Sequence, residues 1–404
     1  MVESLKNIYY RLINEMNINT FRNLYGTFKL TNRLTGLIGP RGTGKTTLLL
    51  QYIRDKISDK HSAVYVSADH FYFNKKSLFD FTQELFETED RRFFFFDEVH
   101  KYSNWNQELK NIYDSFPSIT IVFSGSSSID LIKGTYDLSR RCVLYYLNGL
   151  SFREYINFST NNNYDSYAFE DIIKNHMDIA EQLSKIPKLK GYFNDYVESG
   201  YYPFIFEGIK QFNSKLLSII DKTVFEDIAS NFNINTTNLQ YFKKLLYYLA
   251  TISPGELNIN NLSRNLGVDN KTIQHYTDIL VKTGLAFKIA INKRGGALIR
   301  NHQKLYLENS TLYHTISTEI GHDINRGTIR EICFLQFLKN TGLPVFYSKE
   351  YGDFECKRIY FEIGGKNKTR KQLKKMVENA FIVKDDILIG GGNTIPLYLF
   401  GFLY

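Results

Sequence analysis

The stretch Gly39–Thr46, with the sequence GPRGTGKT, most restricts what this chain can fold into. It matches the pattern G-x-x-x-x-G-K-[ST] at every fixed position, an apolar strand-like run precedes it, and a helical pattern follows it. Glycines let backbone N–H groups turn toward a phosphate, and the start of a helix adds the positive end of its dipole. The stretch therefore predicts a phosphate-binding loop (P-loop) between a buried strand and a helix.

The expected ligands of this loop are ATP and Mg²⁺. Lys45 is expected to reach the β- and γ-phosphates, and the Thr46 hydroxyl to hold the metal. Thr47 supplies a second hydroxyl and is the weaker candidate for a metal ligand. The predicted nucleotide-binding residues of the loop are Gly39, Pro40, Arg41, Gly42, Thr43, Gly44, Lys45, Thr46 and Thr47.

Two carboxylates follow a run of four phenylalanines, Phe93–Phe96, about fifty residues after the loop. An apolar run that ends in acidic residues is the Walker B pattern of P-loop proteins. We expect Asp97 to bind Mg²⁺ through water and Glu98 to polarise an attacking water as a general base. A surface feature at the end of a strand is the alternative.

Polar residues also end the next strand-like run, 118–125. Ser124 is the first candidate for a group that senses the γ-phosphate and Ser126 is the second, while a helix cap is the alternative. Arg140 and Arg141 follow. They are either solvated or complete the ATP site as an arginine finger, in cis or in trans.

Alternating strand-like and helix-like segments predict an α/β fold with a parallel sheet for residues 1–150, the P-loop ATPase core. Residues 151–238 are mostly helical in pattern and are assigned to a lid or linker. Three helices and a hairpin predict a winged-helix domain over 239–320, and a second small α/β domain follows at 321–404. A hydrophobic fraction of 43% is enough for such cores.

Composition excludes several classes of protein. The three cysteines, Cys142, Cys333 and Cys356, are far apart, which argues against a disulfide framework or a thiolate zinc site. No apolar run reaches the ~18 residues that a membrane span needs, and the N-terminal residues lack a signal-peptide core. We therefore expect a soluble, cytoplasmic protein without a membrane partner.

Five segments in order carry a resemblance: GPRGTGKTT, FFFFDEVHKYSNW, FSGSSSIDL, SRR and LNGLSFREY. Together they resemble the bacterial and archaeal AAA-type ATPases of the "archaeal ATPase" kind, over residues 20–160. The resemblance implies an ATP-hydrolysing AAA domain. It also implies that the later G-x-x-P element, Gly200–Pro203, places Pro203 against the adenine.

The C-terminal half is similar to the winged-helix and restriction-endonuclease-like (PD-D/E-x-K) region with which these ATPases often end. Asp353 and Glu362 on adjacent strands would share a divalent metal, with Glu331 as a further ligand. The lysine expected two residues after the second acid is Gly364 here, and Lys366 follows two residues later. Either Lys366 reaches the site, or the domain binds without cleaving.

Two runs of basic residues indicate the kind of partner that this chain binds. The first comprises Lys288, Lys293, Arg294, Arg300 and Lys304, and the second comprises Lys366, Lys368, Arg370, Lys371, Lys374 and Lys375. With a net charge of +8 they favour DNA, which Asn270, Lys271, Gln274 and His275 of the presumed recognition helix would face. Solvated faces or a protein-binding winged helix are the alternatives.

The sequence thus predicts an AAA-type switch that hydrolyses ATP and is coupled to DNA through its C-terminal half. Two alternatives stay open at this point. One is an ATP-regulated, metal-dependent DNA nuclease. The other is a slow nucleotide-binding regulator that acts through a protein partner or a second copy of the chain.

Overall fold

The computed structural model describes residues 2–126, 138, 140–253, 255, 257–292, 303–349, 351–368 and 379–404. The chain divides into two compact units, Met1–Asn148 and Gly149–Tyr404. The boundary falls close to the predicted end of the ATPase core at residue 150. The three C-terminal segments that the sequence separates instead share one unit, because one hydrophobic core runs through them from Leu150 to Phe402.

The first unit is a five-stranded sheet with helices between the strands. Its strands are β1 (Leu34–Gly39), β2 (Ala63–Ser67), β3 (Phe93–Asp97), β4 (Thr120–Ser126) and β5 (Cys142–Tyr146). Its helices are α1 (Val2–Asn14), α2 (Asn23–Thr27), α3 (Lys45–Lys56), α4 (Leu78–Glu89) and α5 (Trp105–Ser115). The strand order is β2-β3-β4-β1-β5 and every pairing is parallel, which confirms the predicted α/β sheet.

The phenylalanines of β3 show why this sheet is buried on both faces. Successive side chains of a strand point to opposite faces. Phe94 and Phe96 accordingly pack in one core cluster and Phe95 in another, and all three are fully buried. A run of apolar residues without alternation is therefore accommodated at the centre of the sheet.

Parallel pairing brings the ends of the central strands together. Gly39 at the end of β1 lies beside Ser126 of β4, and Phe96 of β3 lies beside Phe123 of β4. The residues that follow β1 and β3 therefore meet at one edge of the sheet.

The second unit contains ten helices among its described residues and two sheets. The helices are α6 (Phe152–Thr160), α7 (Phe169–Ser184), α8 (Leu189–Ser199), α9 (Phe212–Lys222), α10 (Ala229–Phe232), α11 (Thr236–Thr251), α12 (Ile259–Leu266), α13 (Asn270–Lys282), α14 (Ser310–Glu319) and α15 (Arg326–Asn340). The strands are β6 (Ala286–Ala290), β7 (Gln303–Leu307), β8 (Val345–Tyr347), β9 (Phe354–Cys356), β10 (Ile359–Gly364), β11 (Ala380–Lys384) and β12 (Thr394–Pro396).

Helices α11 to α13 and the antiparallel pair β6–β7 follow one another in the order predicted for the winged-helix segment. Residues 293–302, which connect those strands in sequence, lie outside the described residues. The other sheet has the order β12-β11-β10-β9-β8, with β8, β9 and β10 antiparallel and β10, β11 and β12 parallel. Among the described helices, none has the length and apolar character needed to cross a membrane.

Gly36 gives a test of packing inside the first sheet. A Cβ at this position would lie 2.5 Å from the Phe123 ring and 2.6 Å from Leu144, so Gly36→Ala should overpack the core and cost about 1–3 kcal/mol. Trp105 is the only tryptophan of the chain and its ring centroid lies 5.7 Å from that of Phe123. Its fluorescence during urea unfolding should therefore show a lower midpoint for the variant.

The matched control is Gly26→Ala in α2, where an added Cβ meets no atom within 4 Å. Its midpoint should stay at or slightly above that of the wild type, because alanine favours a helix over glycine. Equal midpoints for the two variants would contradict the packing argument.

Candidate nucleotide-binding site

Three glycines give the loop between β1 and α3 its shape. Gly42 (φ 78°) and Gly44 (φ 92°) adopt left-handed conformations that other residues rarely tolerate. At Gly39 a Cβ would lie 2.2 Å from the carbonyl oxygen of Leu147. Steric constraints therefore explain why glycine occupies these three positions of the loop.

Lys45 is the first residue of α3 and only 5% of it is exposed. Its Nζ donates to the carbonyl oxygens of Gly39 at 3.0 Å and Pro40 at 2.9 Å. The buried Thr43 hydroxyl also donates to Pro40, at 2.9 Å. The ammonium group is therefore held across the loop, at the helix N-terminus where an anion is favoured.

A residue outside the motif also holds the loop. Arg22 is 8% exposed and donates to the carbonyl oxygens of Thr43 at 2.5 Å and Asn148 at 2.8 Å. Both acceptors are backbone groups. No residue pattern points to Arg22, because its acceptors are backbone carbonyls, which every residue carries.

The Asp97 carboxylate connects three strands and the loop helix. Its Oδ2 accepts from the Thr46 hydroxyl and from the Tyr65 hydroxyl, each at 2.6 Å. Its Oδ1 accepts from the Ser124 hydroxyl and from the Glu98 backbone N–H at 3.1 Å. Burial, together with the charge of Asp97, raises the pKa of Tyr65, so this phenol stays a donor.

This set of groups fits a magnesium ion. Thr46 and Asp97 present a hydroxyl and a carboxylate side by side, and Mg²⁺ prefers such oxygen ligands. The structure brings together Lys45, Thr46, Asp97 and Ser124 as the sequence analysis expects. Thr47 and Arg41 are half-buried, on α3 and in the loop respectively.

Glu98 and His100 lie beside this carboxylate. Glu98 has a left-handed backbone (φ 54°), and its side chain is 22% exposed. The His100 side chain is 2% exposed, with Nε2 3.7 Å from Oε2 of Glu98. The other nitrogen of His100, Nδ1, accepts from the Ser126 backbone N–H at 3.3 Å. No sequence pattern assigns His100 to the site, since this residue has no metal-ligand spacing.

Two predicted residues, Arg140 and Arg141, do not lie at this edge of the sheet. Arg141 pairs with Asp114 at 3.1 Å immediately before β5 begins, and Arg140 is exposed beside it. Because β5 is parallel to β1, both arginines lie at the edge opposite the loop, so the structure does not support a finger in cis. A role in trans stays a prediction. Pro203 is half-buried in the second unit, and its contact with adenine also stays a prediction.

The predicted acids of the second unit lie near one another. Glu331 on α15 accepts from the Tyr306 hydroxyl at 2.8 Å. Burial raises the pKa of Glu331 to about 6, and the charge of Asp353 adds to this while Lys304 opposes it. Burial also raises the pKa of Glu362, which is 1% exposed, and Asp353 contributes in the same direction.

These acids do not form a ready metal centre. Asp353 Oδ2 accepts from the Ile363 backbone N–H at 2.7 Å, and Glu362 Oε1 lies 2.5 Å from Lys368 Nζ. Over the part of the chain that the structure describes, no three His, Cys, Asp or Glu side chains are grouped to hold a metal. The expected ligand set of Glu331, Asp353 and Glu362 is thus close in space without being assembled.

The lysine that pairs with an acid of this cluster is Lys368, and a role for Lys366 stays a prediction. Lys366 is exposed at the turn. A Cβ on Gly364 would lie 2.4 Å from Cγ of Lys368, so the stem of Lys368 covers the position where the motif has its lysine. From there its ammonium reaches Glu362.

Two residues of the first basic run have partners inside the unit. Lys288 pairs with Asp278 of α13, and the Lys304 ammonium lies 5.7 Å from the centre of the Tyr347 ring. Residues 293, 294 and 300 of that run, and 370, 371, 374 and 375 of the second, lie outside the described residues.

Comparison with known proteins gives two family matches. Residues 31–156 match an AAA domain, and residues 190–322 match a domain of unknown function, DUF8612. The uncharacterized protein MJ1637 of Methanocaldococcus jannaschii is 27% identical over 402 residues, which cover 91% of this chain and 84% of that protein.

Solved structures are more distant. AMPPCP-bound DnaA from Aquifex aeolicus is 17% identical, with a TM-score of 0.28 over 68% of this chain and 87% of that one. A DNA replication initiation factor is 14% identical, with a TM-score of 0.26 over 82% and 93% of the two chains. Residues 31–156 are thus similar in sequence to an AAA domain, and the parallel sheet with its P-loop fits that similarity.

Proposed function

We propose that the first unit binds ATP with Mg²⁺, hydrolyses it and acts as an AAA-type switch. The observation that carries the proposal is the hydrogen-bonded set at Asp97, which joins the loop hydroxyl of Thr46 to the sensor candidate Ser124. Hydroxyl and carboxylate groups of a P-loop and its neighbouring strands are the parts that position MgATP.

Each group has a defined part in this reaction. The loop N–H groups and Lys45 bind the phosphates, and Thr46 and Asp97 would hold the metal. When bound, Mg²⁺ neutralises charge on the phosphate oxygens. Glu98 accepts a proton from water as the water oxygen bonds to the γ-phosphorus and the bond to the ADP oxygen breaks.

Glu98→Gln tests the general base. The amide cannot accept the proton, so kcat for ATP hydrolysis should fall by roughly 100-fold or more while ATP affinity is retained. Steady-state phosphate release and equilibrium binding of a fluorescent ATP analogue measure the two quantities. Glu87→Gln, an exposed acid of α4 bonded to Gln83 at 2.8 Å, is the matched control and should leave both unchanged. Full turnover in Glu98→Gln would refute the assignment.

We propose further that the second unit couples this cycle to DNA. Support comes from the net charge of +8 and from α13, on which Asn270, Lys271 and His275 are exposed. Phosphate contacts release counterions, so binding weakens with salt.

ATP hydrolysis by the intact chain should accordingly rise on adding duplex or single-stranded DNA, and this stimulation should fade between about 50 and 200 mM salt. Lys271→Ala should reduce the stimulation and leave the rate without DNA unchanged. The matched control is Lys210→Ala, which removes an exposed lysine from the short 3₁₀ helix Ile209–Gln211, outside α13. Turnover that is indifferent to DNA would favour the alternative, a regulator acting through a protein partner or a second copy.

A second candidate function, metal-dependent cleavage of DNA, is supported by the cluster of Glu331, Asp353, Glu362 and Lys368. The order of α15, β8, β9, β10 and β11 puts Asp353 just before β9 and Glu362 on the adjacent β10. A metal held there would activate water, and the Lys368 ammonium would orient it.

The corresponding experiment is nicking of supercoiled plasmid in Mg²⁺ or Mn²⁺. Nicking should disappear in Asp353→Ala and fall at least tenfold in Lys368→Ala, because the buried Glu362 loses its counter-charge. Lys366→Ala, which removes the exposed lysine two positions earlier, should cleave like the wild type. Plasmid left intact by the wild type with both metals would exclude this candidate.

A further inference from the structure

We propose that His100 is a positioning residue that aims the Glu98 carboxylate and ties it to the end of β4. The inference rests on the proposed ATP hydrolysis. It concerns a buried imidazole that lies between the general base and the strand next to the P-loop.

The hydrogen bond from β4 determines which nitrogen of the His100 ring carries hydrogen. Nδ1 of His100 accepts the Ser126 N–H at 3.3 Å, so that nitrogen carries no hydrogen. In a neutral imidazole the hydrogen then belongs to Nε2. The backbone of β4 thus selects a tautomer whose N–H donor faces Glu98.

The Glu98 carboxylate lies close to this donor and is more exposed than the imidazole. Its Oε2 lies 3.7 Å from Nε2 of His100, beyond hydrogen-bond length and within reach of a small side-chain rotation. The carboxylate is 22% exposed, while the imidazole is 2% exposed and fixed. The ring is therefore a rigid donor against which a movable general base can be oriented.

The pair formed by His100 and Glu98 is connected to the P-loop through β4. Ser126, which fixes the ring, is the register partner of Gly39, the first residue of the P-loop motif. A phosphate group that shifts the start of the loop would shift its strand neighbour as well. Orientation of Glu98 would then depend on occupation of the loop, through Gly39, Ser126 and His100.

Two isosteric variants separate this role from simple filling of the core. His100→Gln places an amide N–H near the position of Nε2 and keeps the donor toward Glu98. His100→Asn places an amide oxygen near the position of Nδ1 and keeps only the acceptor for Ser126. The two are matched in polarity and differ in which contact they preserve.

We expect His100→Asn to lower kcat by roughly 10- to 100-fold, because a misaimed base loses rate steeply, with KM for ATP unchanged within about twofold. His100→Gln, which keeps the donor toward Glu98 but loses the acceptor for Ser126, should lose clearly less of kcat than His100→Asn. The double variant with Glu98→Gln should turn over no more slowly than Glu98→Gln alone. Trp105 fluorescence in urea establishes that each variant is folded. Equal loss in both variants, or loss in His100→Gln alone, would overturn the proposal.

A second readout does not depend on turnover. Imidazole nitrogen NMR of the intact chain, with the His100 signal assigned by its loss in His100→Gln, should show hydrogen on Nε2 and none on Nδ1. Hydrogen on Nδ1 instead would overturn the inference. A wild type that binds ATP without hydrolysing it would overturn the proposed function while leaving this tautomer in place, so the two failures are distinguishable.

Discussion

The Asp97 carboxylate is the interaction on which the first unit depends. It is 2% exposed, and a buried charge is costly unless hydrogen bonds compensate for it. Thr46, Tyr65 and Ser124 supply hydroxyl donors from α3, β2 and β4 respectively. The donors lie close together because the strands of a parallel sheet all end at the same edge. The fold therefore places the donors, and their hydrogen bonds in turn stabilise the buried charge in this fold.

How far the sequence predicts this site depends on how the residues reach it. Lys45, Thr46 and Asp97 belong to contiguous motifs, and Ser124 follows from the rule that parallel strands end together. Arg22 and His100 could not be found in this way. Both act through backbone groups, the carbonyl of Thr43 and the N–H of Ser126, and those groups are the same in every residue.

In the second unit the sequence predicts the helices and strands better than it predicts the number of hydrophobic cores. Its helices and strands follow the predicted order, yet they form one core rather than three domains. Local patterns specify elements, whereas the number of cores depends on which apolar faces meet. Lys368 illustrates the same limit on a smaller scale: glycine at position 364 leaves space, and a lysine from the following turn occupies it.

The buried acids of the second unit are costly to bury, which raises the question of what they contribute to the protein. Glu362 is almost fully buried and depends on Lys368, and Glu331 has a pKa raised to about 6 by its burial. Buried ion pairs are often no more stabilising than apolar residues of the same volume, and a buried carboxylate near neutrality is a common mark of a working site. A structural core gains little from this arrangement. Glu331, Asp353 and Glu362 set three carboxylates against the Lys368 ammonium, so a cation bound among them would reduce the repulsion between the acids.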